Sequence, residues 1–285
     1  MSQASLAIDL FREAAELNRR DSLRHGSLLE LPNYGQVIMT GDLHGHRRNF
    51  QKLTAYCQLE KTPVRHVLLH ELIHEEPITF LAHDHSVELL IDAARWKTFF
   101  PDQVHFLQSN HELAQLNGHD ITKGGRSVAE DFDAGVEDLF GPDEAEDVRK
   151  AIDEFLASFP VAARSPNRIF FSHSLPGRED LGRFDPQCVY KPPEELDLSE
   201  GGDVYRMVWG RRHDAALLET LARAWDVDLF IVGHQPQEWG HEVMFGRLLI
   251  LASDHNHGVF LPIDLRKKYT MDDLVARIRK YASVE

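Results

Sequence analysis

A chain of 285 residues with 42% hydrophobic and 27% charged side chains has the makeup of a globular protein with a sizeable buried core. Its net charge of −15, from 31 basic and 46 acidic residues, argues against nucleic acid or an anionic membrane as a partner, but not against a phosphorylated substrate at a site whose field a bound metal reverses. Only Cys57 and Cys188 are present, which excludes a disulfide framework or a cysteine-rich zinc site.

Residues 4–19 have helical spacing and lack the apolar core of a signal peptide. No stretch of the chain is long and apolar enough to span a membrane, so a cytoplasmic location is expected. QVIM, at 36–39, is a short apolar run stopped by Thr40-Gly41-Asp42, which predicts a buried strand running into a loop. RRNFQKLTAYCQLE then has helical spacing, and HVLL, at 66–69, is a second strand. SVELLIDAARWKTFF reads as a helix closed by Pro101. VHFLQ, at 104–108, is a third strand and ends in Ser109-Asn110-His111-Glu112.

Residues 113–160 form acidic helical segments and are expected as a cap or insertion. RIFFSHSLP, at 168–176, is a fourth strand, and 177–203 reads as loop, with Pro186, Pro192, Pro193 and Gly201-Gly202. Helical pattern returns over 204–224, and DLFIVGHQP is a fifth strand running into Gly233-His234. RLLILAS and HGVFLPIDL are expected to pair as a hairpin. A terminal helix over 270–283 begins with Thr270 as its N-cap. No repeat or Gly/Ser linker divides the chain, so residues 1–285 are read as one domain.

Five strand ends carry polar residues: Asp42 and His44, then His70 and Glu71, then Asn110 and His111, then His173, then His234. In α/β proteins ligands collect outside the C-terminal ends of strands. In GDLHGH, Asp42 and His44 lie two apart and can aim a carboxylate and an imidazole at one cation, with Gly41 and Gly45 allowing the tight backbone. In SNHE, Asn110 offers a carbonyl oxygen and His111 a proton for a leaving group. Read singly, these motifs also fit a polar turn, an N-cap at Asn110 and structural histidines. His25, His66, His83, His119 and His213 are expected as scattered surface histidines. His257, with Asp254 and His255, is either an extra ligand at the rim or a surface residue.

GDLHGH, SNHE, SHSLP and VGHQP resemble, in order, the GDxHG, GNHE, HGG and GH motifs of the calcineurin-like metallophosphoesterases, nearest to the phosphoprotein phosphatase branch. The likeness spans about 36–265 and includes MVWGRR at 207–212, similar to a Trp-Gly-Arg segment that binds phosphate in some bacterial members. It implies an α/β fold, a β-sandwich flanked by helices with a helical cap insertion. Carried over, Asp42 and His44 hold a first metal ion, and Asn110, His173 and His234 a second. His111 is the general acid, and Arg211 or Arg212 contacts the phosphate. The two ions, drawn from Mn, Fe or Zn, clamp a phosphoryl group and activate water for in-line attack. The substrate is a phosphorylated protein or small molecule; the sequence is silent on oligomeric state.

The second motif departs from the family's GDxxDRG. Here it is His70-Glu71-Leu72-Ile73-His74-Glu75-Glu76. Glu71 falls where the metal-bridging Asp is expected, His74 replaces the Asp that steadies the general-acid His, and Glu75 replaces a phosphate-binding Arg. The same residues spell HExxH, the zinc-peptidase pattern, which works when both histidines share a helical face. Glu88, on the next helix, is then an imaginable third ligand. That reading leaves the other four motifs without a role. The altered motif also admits a phosphoesterase-fold binding protein without catalysis.

Overall fold

Apolar side chains on both faces of the central strands dictate the layering. The computed structural model describes residues 1–75, 82–119, 121–123 and 125–284. In β3 (Gln36–Thr40), Val37 and Met39 point one way and Ile38 the other, and in β4 (Arg65–Leu69), Leu68 opposes Val67 and Leu69. Each direction meets its own apolar layer.

Among the described residues, β3 and β4 belong to a five-stranded sheet. They are joined there by β5 (Val104–Phe106), β13 (Val259–Asp264) and β14 (Arg279–Lys280), in the order β14-β13-β3-β4-β5. A second, seven-stranded sheet contains β1 (Arg24–His25), β2 (Leu28–Glu30), β8 (Ala162–Ser165), β9 (Ile169–Ser172), β10 (Leu229–Val232), β11 (His241–Met244) and β12 (Leu248–Leu251). Their order is β1-β2-β8-β9-β10-β12-β11. A separate short pair is formed by β6 (Thr122–Lys123) and β7 (Arg126–Ser127). Val37, Met39, Leu68 and Leu261 from the first sheet meet Phe171, Ile231 and Leu249 from the second, which is a sandwich interior.

Helices cover both outer faces. Ile38, Val67, Leu69 and Phe106 lie beneath α1 (Gln3–Arg19), α2 (Arg47–Cys57), α3 (Val87–Phe99), α5 (Val128–Phe140) and α6 (Pro142–Leu156). Phe170, Phe230 and Ile250 lie beneath α8 (Asp203–Trp209) and α9 (Ala215–Trp225), where Trp225 stacks on Phe170 at 4.2 Å between ring centres. The expected α/β sandwich is therefore present. β3, β4 and β5 are parallel and linked through α2 and α3, and β9, β10 and β12 are parallel to one another.

Several local expectations change. Segment 113–160 is helical, but α6 runs along α1 and buries Val148, Ile152 and Phe155, so it is a layer of the core as well as an insertion. The helical run over 204–224 is broken at Gly210, where a Cβ would lie 2.0 Å from the Leu175 carbonyl oxygen; Arg211 and Arg212 thus sit on a loop. The loop-like stretch 177–203 holds the short helix α7 (Glu195–Leu198). Ser109, not Asn110, caps α4 (Asn110–Asn117), accepting from the backbone N–H of His111 and Glu112. The terminal helix α10 spans only Met271–Arg277, capped by Thr270 as expected, and the chain then forms β14. His66 and His213 are buried, against the surface expectation; His25 and His119 are exposed, and His83 is half-buried.

The expected hairpin of β12 with β13 does not form. β12 pairs with β10 and β11, while β13 pairs antiparallel with β3 in the other sheet. After β12 the chain is held by the loop following β3. Ala252 bridges Asp42, the Ser253 N–H donates to the Asp42 carbonyl, and the Gly41 N–H donates to Ser253 Oγ. The true hairpin joins β11 to β12 through Phe245 and Gly246, both left-handed, with φ of 52° and 66°.

Candidate metal centre and active site

The parallel strands deliver their C-terminal loops to one edge of the sandwich. The two loops that follow β3 and β4 are sewn together: the Leu43 and His44 N–H groups donate to the Glu71 carbonyl and the Gly45 N–H to the Leu72 carbonyl, at 2.8–2.9 Å. Four non-glycine residues at this edge hold left-handed backbone: His44 (φ 40°), Glu71 (49°), His74 (65°) and His234 (67°). Such conformations cost about 1–3 kcal/mol each and concentrate where surrounding structure over-determines them.

Glu71 sits at the centre. Its Oε1 lies 2.9 Å from His44 Nε2 and 3.6 Å from His111 Nε2, and its Oε2 lies 2.9 Å from His173 Nε2. His173 Nε2 is also 2.7 Å from Asn110 Oδ1 and 3.0 Å from His234 Nδ1. The outward nitrogens explain the inward ones. His44 Nδ1 faces the Ile73 carbonyl at 3.0 Å and His234 Nε2 faces the Trp209 carbonyl at 3.3 Å. A carbonyl only accepts, so each of those nitrogens carries the proton and the other points a lone pair inward. Glu71 Oε2 is buried and accepts no hydrogen bond among the described residues. Imidazole, amide and carboxylate donors thus converge on one point, and a cation is the chemistry that such a donor set fits.

Burial, then the charge of Glu71, raises the Asp42 carboxyl, whereas the neighbouring His173, His111 and His44 overcome burial and hold Glu71 well below the usual carboxylate range. Asp42 accepts from the His234 N–H at 2.9 Å.

Among the described residues, three groups bring their donor atoms within 4.8 Å of one another: Asp42, His70 and His173; His44, Glu71 and His111; and Glu71, His173 and His234. Asn110, His173 and His234 meet as the resemblance implies. Asp42 and His44 border the same cavity, in neighbouring groups on either side of Glu71 and His173.

The peptidase reading of HELIH fails on geometry. Residues 70–75 are loop, with Glu71 and His74 left-handed, so His70 and His74 share no helical face. His70 faces His173 (Nδ1 to Nδ1, 3.1 Å), whereas His74 faces His111 (Nδ1 to Nδ1, 2.8 Å) and Gln115 Oε1 (2.9 Å). Glu88 is spent on Arg47 at the surface. Each histidine of the motif stands behind a different site imidazole.

A cavity of about 430 Å³ opens over this cluster, bordered by His46, Glu75, His111, Arg211, Pro236 and Asp254. Arg211 faces it, and Arg212 is not among its lining residues. His257 lies outside, its ring tilted at 45° to that of the exposed Trp239, with 5.2 Å between centroids. A larger concavity, about 590 Å³, lies at the opposite strand ends beside Gln36 and Arg65, where none of the site residues falls. The sequence reading overlooked Gln115, which sits four residues after His111 on α4 and hence on the same face. It also left His70 without a partner.

No family model and no curated protein sequence matches the chain. In three dimensions it is similar to a protein serine/threonine phosphatase from Saccharomyces cerevisiae, with a TM-score of 0.68 and 14% identity over 100% of this chain and 91% of that one. It is also similar to a cold-active protein-tyrosine phosphatase of a psychrophilic Shewanella species, with a TM-score of 0.58 and 16% identity over 94% of this chain and 82% of that one. The likeness is one of fold: the chain shares the two-sheet α/β fold, flanked by helices, of these phosphatases.

Proposed function

We infer that the chain is a metal-dependent phosphoesterase. The observation that carries this reading is the convergence of His173 Nε2, Asn110 Oδ1, His234 Nδ1 and both Glu71 oxygens at one sheet edge, beneath a cavity that also holds His111 and Arg211. Glu71, His173, His234 and Asn110 would hold one divalent ion, and Glu71 with His44 and Asp42 a second. Ions bound there supply positive charge that activates water and offsets the phosphoryl oxygens.

The side chains do the rest. Arg211 faces the cavity and supplies a cation to orient the phosphate. His111 Nε2, on the cavity side of its ring, donates a proton to the leaving oxygen as the P–O bond breaks and a water oxygen joins phosphorus. A cavity of this size accepts a phosphorylated side chain or a small phosphate ester. The two fold neighbours are a serine/threonine phosphatase and a protein-tyrosine phosphatase, which supports a phosphomonoester as the substrate.

Metal-free protein titrated with Mn²⁺ should hydrolyse p-nitrophenyl phosphate, and Asp42→Ala should lower both metal content and rate. Full activity in Asp42→Ala would remove Asp42 from the centre. A second reading, a binding protein without turnover, draws on Glu75 at the cavity wall where the resembled pattern has an arginine. It expects one ion or none and no hydrolysis.

A further inference from the structure

His70 stands where the resembled pattern has a glycine, and its ring is fully buried. Its Nε2 faces the Thr40 carbonyl at 3.0 Å, and its Nδ1 faces His173 Nδ1 at 3.1 Å. The carbonyl accepts only, so Nε2 holds the ring's proton and Nδ1 holds a lone pair. Two lone pairs cannot face each other at hydrogen-bond distance, so the proton between the rings belongs to His173 Nδ1. His173 Nε2 then faces Glu71 Oε2, Asn110 Oδ1 and His234 Nδ1 at 2.7–3.0 Å, acceptors that hold a proton on it until a cation takes its place.

We propose that His70 is a positioning residue that fixes the tautomer of His173, through the chain Thr40 C=O, His70, His173, and so presents His173 Nε2 as a metal donor. This rests on the metal-centre reading above. His44 and His234 are oriented by backbone carbonyls; His173 alone of the three is oriented by an imidazole.

A further observation supports the assignment. The His70 ring is clamped: a Cβ on Gly233 would fall 2.5 Å from His70 Cε1 and 2.2 Å from Asp42 Oδ1, so the backbone after β10 lies against the ring. The rival arrangement makes His70 itself a ligand, since its Nδ1 is 3.3 Å from Asp42 Oδ1. In that case His173 carries its proton on Nε2, pointing into the donor cluster.

The test separates these. In metal-free wild-type protein, ¹⁵N spectra of the histidine rings should show a proton on His173 Nδ1; a proton on Nε2 with none on Nδ1 overturns the proposal without any variant. Calorimetry with Mn²⁺ then compares wild type, His70→Asn and His70→Phe. Asn places an acceptor oxygen near the position of Nδ1, and Phe removes it. Stoichiometry should be the same in all three. His70→Phe should bind about 10–100-fold more weakly, the usual effect of losing a residue that orients a ligand, and His70→Asn should recover most of that. Wild-type affinity in His70→Phe overturns the proposal, as does equal weakening in both variants. Loss of one bound ion in His70→Phe also overturns it, by making His70 a ligand. None of these readouts uses a phosphate ester, so a protein that passes them and hydrolyses nothing fails only the phosphoesterase reading.

Discussion

Glu71 shows what one methylene decides. Read from sequence, a glutamate where an aspartate is expected can bridge two ions only if the backbone retreats or the ions shift. The geometry takes the first course: left-handed backbone holds Glu71, and its two oxygens reach His44 and His173 at 2.9 Å each. Shortening the side chain withdraws the carboxylate by about 1.5 Å, one carbon–carbon bond. Glu71→Asp should weaken Mn²⁺ binding by about tenfold or more, or 1.4 kcal/mol, in a calorimetric titration. Equal or tighter binding would show that the loop follows the shorter chain. Asp42, Asn110, His173 and His234 were legible because each directly follows an apolar strand. His70 and His74 were not, because their roles lie in partners some 40–100 residues away, and sequence adjacency groups them into a false zinc motif.

Elements carry a second histidine network away from the site. His66 on β4 faces His105 on β5 at 3.1 Å, and His105 faces Asp21 at 2.7 Å. Burial, then the adjacent His105, lowers His66 from the usual 6.5 to about 4, with Asp21 opposing. The unfolded chain therefore takes up a proton near pH 6.5 that the folded one refuses until about pH 4. Stability rises with pH across that window, and acidification through it costs up to about 3 kcal/mol. His66→Asn should flatten urea-midpoint values between pH 7 and pH 4 relative to wild type; parallel curves would remove His66 from the acid response. The strand itself was legible from HVLL, but the burial of His66 was not, because a polar residue at a strand's start reads as exposed until the neighbouring strand is known. The misplaced hairpin has a similar cause. Leu249 and Val259 flank a polar turn, yet both point into the sandwich interior from opposite sheets.

At the scale of the whole molecule, the two sheets and their helical covers follow from apolar runs buried on both faces, a pattern visible in QVIM and HVLL alone. Among the described residues no helix is long and apolar enough to cross a membrane. Among the described residues, Asp42, Glu71, Glu75 and Asp254 line the cavity with Arg211 as its one arginine, so anion binding there depends on cations held by the strand-end donors. A crystal structure of Mn²⁺-loaded protein with anomalous scattering at the manganese edge tests this most directly. Two peaks are expected, flanking the Glu71 carboxylate, one against Asn110, His173 and His234 and the other against His44 and Asp42. No peak at Glu71, or a single ion held jointly by His70 and His74, would contradict it.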